Sequence, residues 1–169
     1  MAKEREGANM RIVKVVVCML AIIMVLTGCG GDGKSKVNTR EIIIPKTEFY
    51  KYLYIQGVND QGVSTEKTGK LIKEPAKVQD FIRMVNRSVV MVPKTEKQAS
   101  IVKQLDKHGS YIVALGDTEK MDKLTYKIYM LKDGTLFFQD TMKKEMTYMT
   151  VKKEPKKLEE MKKLLGVKF

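Results

Sequence analysis

Hydrophobic and polar residues alternate along Glu48 to Ile55, EFYKYLYI. Tyr50, Tyr52 and Tyr54 fall on one side of this run, and Phe49, Lys51, Leu53 and Ile55 on the other. Period two with aromatic, β-forming residues predicts a strand. Ahead of it, Glu41 to Ile44 opens the folded region and stops at Pro45. After it, Gly57 to Gly69 is rich in Gly, Asn, Asp, Ser and Thr and reads as a loop, with Leu71 and Ile72 as a short return strand. The period then changes. Pro75 suits a first helical turn, and Val78, Phe81, Ile82 and Val85 follow at i, i+3, i+4 and i+7. A helix is expected over Pro75 to Arg87, then a strand over Ser88 to Val92, stopped by Pro93.

The second half is richer in strands. Thr95 to Lys107 is ambiguous: Ile101, Val102 and Leu105 have partial helical spacing, and Gly109 is placed to end a short helix. Ser110 to Leu115 and Lys123 to Leu131 read as strands, the second with Leu124, Tyr126, Ile128 and Met130 on one face. Asp133-Gly134 is a strong hairpin signal leading into Thr135 to Gln139, and a further strand is expected over Met146 to Val151. Pro155 starts a last helix with Leu158, Met161, Leu164 and Leu165 on its stripe, and Gly166 ends it. Consecutive strands joined by such turns imply antiparallel pairing. The expected fold is α+β, a mainly antiparallel sheet with two or three helices packed on one face.

The N-terminal region follows a different pattern. Val15 to Leu26, VVVCMLAIIMVL, is uncharged and preceded by Arg11 and Lys14. Twelve helical residues reach about 18 Å, short of a bilayer core of about 30 Å, so the run fits a signal-peptide core better than a permanent span. The first nine residues are mixed in charge, whereas Met10 opens a more conventional signal sequence and is the expected start. The apolar run ends in Leu26-Thr27-Gly28-Cys29, which resembles the lipobox of bacterial lipoproteins. That resemblance covers about the first 30 residues. It implies cleavage between Gly28 and Cys29 and a thioether-linked diacylglycerol on Cys29. Two acyl chains anchor stably where one does so only marginally. The general look is that of small uncharacterised lipoproteins of Gram-positive bacteria. On this reading residues 1–28 are the signal peptide, 29–38 a flexible Gly-rich tether, and 39–169 an extracytoplasmic domain at the cell membrane, facing outside the cytoplasm.

Composition narrows the chemistry without selecting an activity. The hydrophobic fraction of 43% over 169 residues suits one domain. After Gly28 there are 28 basic and 18 acidic residues, a net charge of +10. No nucleic-acid recognition motif accompanies this charge, and anionic headgroups or cell-wall polymers are the partners within reach of an anchored domain. Cys18 and Cys29 are the only cysteines, so the domain has neither an internal disulfide nor a thiolate nucleophile. With one histidine, His108, a zinc site of usual composition is not expected. Asp117, Glu119 and Asp122 lie in GDTEKMD without calcium-loop spacing and read as a polar turn. Asp106, His108 and Ser110 sit two apart in one turn, with no G-x-S-x-G elbow, and read as turn residues. No phosphate-binding loop is present. Met142, Met146 and Met149 are too loosely spaced for copper capture, and the methionines read as flexible core filling.

No catalytic residue, metal site or cofactor is therefore expected. The feature that stands out is the row Tyr50, Tyr52 and Tyr54, because tyrosine combines large apolar area with a hydroxyl and suits interfaces. The expected function is a lipid-anchored, non-catalytic binding or accessory protein that engages a protein or an anionic envelope component. An inhibitor or immunity-type protein acting on an extracellular enzyme, and an envelope-acting hydrolase, are the alternatives.

Overall fold

A computed structural model of the chain describes residues 38–122, 125–139 and 146–169, all within the unit Val37–Phe169. Cys29 and its neighbours lie outside them. Eight strands form one antiparallel sheet: β1 (Thr39–Glu41), β2 (Tyr52–Gly57), β3 (Gly69–Ile72), β4 (Val89–Met91), β5 (Tyr111–Gly116), β6 (Thr125–Met130), β7 (Leu136–Gln139) and β8 (Met146–Thr150). Their order is β1-β4-β8-β7-β6-β5-β2-β3. β5 to β8 form a meander; β2 and β3 extend it on one side, β4 and β1 on the other. The described residues also hold three helices: α1 (Pro75–Val85), α2 (Thr95–Leu105) and α3 (Pro155–Leu165). The fold is α+β, as the patterning implied.

Side-chain alternation divides the sheet into two unlike faces. On the first, Leu53 and Ile55 of β2 stand in register with Leu115 and Val113 of β5, which in turn oppose Tyr126 and Ile128 of β6. Leu136 and Phe138 continue this face onto β7. All are buried, and α1 and α3 cover them with Val78, Phe81, Ile82, Val85, Leu158, Met161 and Leu165. The two helices touch each other as well. Of the two or three helices expected on one face, two are there. The third, α2, belongs to a separate cluster on the reverse face, where its Ile101 meets Leu131, Phe137 and Met149.

Local chemistry explains where these elements stop. Pro75 and Pro155 each open a helix, where the missing N–H costs nothing. α1 ends at Val85 rather than Arg87, because Arg87 turns to φ 63° and the Asn86 side chain accepts the Ile44 N–H at 2.8 Å. α3 closes in a Schellman turn: Gly166 takes φ 61° and the Val167 N–H reaches the Lys162 carbonyl at 2.9 Å. Lys70 of β3 donates to the Leu165 and Gly166 carbonyls at 2.9 and 3.1 Å, a cation at the negative end of the helix. Between β6 and β7, Gly134 satisfies two demands. Its φ is 82°, and any Cβ there would overlap the Glu154 backbone and the Pro155 nitrogen. The hairpin therefore seats the start of α3.

β2 begins later than the alternation suggests. Lys46 turns left-handed at φ 55° and Thr47–Phe49 form a single 3-10 turn, so pairing starts only at Tyr52.

Candidate functional site

The reverse face of the sheet is covered over only part of its width. Over β7 and β8 it lies under α2. Over β3, β2, β5 and β6 it is covered only in part: Met121 lies against Gly116, and Tyr129 packs against the α2 cluster. The side chains of this half-face include Leu71, Tyr52, Tyr54, Ile112, Ala114 and Tyr129, with the polar Gln56, Thr125 and Lys127 among them. Register makes them one surface. Tyr54 stands opposite Leu71 on one side and Ala114 on the other, and Ile112 stands opposite Tyr129. Ile112 is 38% exposed and Lys127, opposite Ala114, is exposed as well, while the other side chains are half-buried.

The rings are held from behind. The Tyr54 hydroxyl donates to the Gln56 carbonyl oxygen, and the Gln56 amide donates to the Thr68 hydroxyl at 2.8 Å and the Gly57 carbonyl at 3.0 Å. Gly69 leaves the space into which the end of the Tyr54 ring extends; a Cβ there would overlap its hydroxyl. The Tyr129 hydroxyl donates to Gln139 at 3.1 Å, and partial burial raises its pKa. Tyrosines with fixed rings lose little side-chain entropy on contact, so the surface is arranged in advance.

Tyr50 does not join Tyr52 and Tyr54. Only 3% of it is exposed, and it lies in the core under the helices, where burial, then Glu48 and Asp117, raise its phenol pKa. The turn at Thr47–Phe49 breaks the period-two count that placed the three on one face. Tyr129, Ile112 and Leu71 take its place. Their signal was the alternation in their own strands, which needed the strand order to become a surface. Tyr126 faces the helices, and Tyr148 lies under Arg40, whose guanidinium carbon sits 3.9 Å from the ring centre.

The other chemistry weighed from the sequence is dispersed. His108 sits in the turn after α2 with Nδ1 3.3 Å from Asp60 Oδ1, and the Ser110 hydroxyl donates to the Gln104 carbonyl at 2.9 Å. Asp106, His108 and Ser110 thus form no relay. Glu119 pairs with Lys73 at 2.8 Å, while Asp122 accepts the Thr118 hydroxyl at 2.7 Å. Among the described residues no group of three or more His, Cys, Asp or Glu side chains is placed to hold a metal ion. None of their helices is long and apolar enough to cross a membrane. Cys29 and Gly28 lie outside the described residues. Along α3 two lysines of the basic tail are paired, Lys157 with Glu154 at 3.6 Å and Lys162 with Glu159 at 3.1 Å.

No family model, curated protein or solved structure matches the chain.

Proposed function

We propose that the chain is a non-catalytic binding domain, held at the outside of the cell membrane by lipid on Cys29, that engages a protein partner through the partly exposed half of the reverse sheet face. One observation carries this reading. Two helices seal one face of the sheet, whereas on the other Tyr52, Tyr54, Leu71, Ile112 and Tyr129 stand partly exposed, with Gln56 and Lys127 between them. Pre-set tyrosines around an exposed aliphatic centre are the composition of an interface core. An anionic polymer is the weaker candidate, because α3 alternates lysine with glutamate and presents no single-sign stripe.

The test pairs Tyr54→Ser with Ile112→Glu in the full chain expressed at the membrane, followed by chemical cross-linking. The wild type is expected to give a discrete adduct with one protein, and the double variant to lose it while its thermal midpoint stays within a few degrees. An adduct that survives the double change would refute the open-face assignment. The anchor is tested separately by the mass of the membrane-extracted protein. Its expected mass is that of a chain starting at Cys29 with acylated sulfur.

A further inference from the structure

Beneath α2 the reverse face holds a cleft of about 190 Å³. Ile101, Leu131, Phe137 and Met149 lie at its base, each no more than 4% exposed beneath the helix, and Lys97, Lys153, Ser100, Gln104, Thr135 and Thr150 lie among its lining residues. A closed apolar cavity of about 150 Å³ takes up benzene; this cleft is of similar size but half-open and lined by polar as well as apolar groups. The charges around it are unequal. Asp133, the carboxylate on the lining, is already engaged by Lys153 at 2.9 Å and by the Thr135 N–H at 3.0 Å. Lys97 makes no ion pair with any described residue, which leaves the lining with one net positive charge.

We propose that the cleft under α2 binds a small organic anion with a compact apolar body, an arylcarboxylate or a short-chain carboxylate. The body rests on Phe137, Ile101, Leu131 and Met149, and the carboxylate faces the Lys97 ammonium. α2 suits such a site because it is attached lightly: Ile101 is its one buried side chain, and Val102 is 53% exposed. Small displacements of the helix uncover these four side chains to the ligand without disturbing the main core.

The experiment uses the full chain, labelled at Ile, Leu and Met methyl groups and titrated with sodium benzoate or with neutral benzyl alcohol. With benzoate, saturable shifts are expected at Ile101, Leu131 and Met149, and none at Ile112 or Leu71 on the open half-face. Benzyl alcohol should bind about fivefold more weakly, as should benzoate to Lys97→Gln, the scale of one partly exposed charge pair. Absence of saturable shifts at those three methyl groups up to the solubility limit of benzoate would overturn the site. Equal affinity for the acid and the alcohol, unchanged by Lys97→Gln, would overturn the anion assignment.

Discussion

The two faces of the sheet are covered very differently. On the helix face, α1 contributes four buried apolar side chains and α3 three, each stabilising by about 1.5–3 kcal/mol as an upper estimate. On the reverse face α2 contributes one, Ile101. Stability is thus concentrated on one side of the molecule. The other side keeps aromatic and aliphatic residues at partial exposure and carries a lightly held helix over a cleft. A domain of this size can leave half a sheet face partly exposed only because its remaining core is sufficient.

This contrast can be tested by mutation. The largest effect is expected from Phe81→Ala under α1, which should cost about 3–5 kcal/mol in urea unfolding. Ile101→Ala should cost less, about 2 kcal/mol, at the low end for such a truncation because the reverse face can relax toward solvent. Hydrogen exchange should then show protection lost over Thr95–Leu105 and retained over Pro75–Val85. Equal loss in both helices would mean that the faces are not independent.

A smaller effect should follow acidification. Partial burial would raise the Asp133 pKa, but Lys153 and the Thr135 hydrogen bonds outweigh it and hold the carboxyl below its ordinary value. Its contribution is therefore present above the unfolded value of about 3.9 and is lost as pH falls through the folded one. Urea midpoints of the wild type should drop more steeply below pH ~4 than those of Asp133→Asn. Smallest of all should be the stability change from Tyr52→Ser, below about 1 kcal/mol, because that side chain is already half in water.

Much of the helix face was legible in the sequence. The stripes Val78, Phe81, Ile82, Val85 and Leu158, Met161, Leu165 lie where the helical period put them, and the prolines and Gly166 bound their helices. α2 was ambiguous for a physical reason: a helix that buries one side chain leaves almost no stripe to read. The tyrosine surface was half legible. Alternation placed Tyr52 and Tyr54 together, but it could not register the left-handed turn at Lys46 that takes Tyr50 into the core. Leu71, Ile112 and Tyr129 join them only through the order β3-β2-β5-β6, and pairing between strands distant in sequence leaves no local mark.

The most direct measurement places a photo-cross-linking phenylalanine analogue at position 112 and, as the control, at Phe49, which is 53% exposed but outside the open half-face. Both variants are expressed as the full chain in cells and irradiated. The expected result is one discrete protein adduct from position 112 and none from position 49. Adducts of equal yield from both positions, or none from position 112, would contradict the assignment of the open half-face as the binding surface.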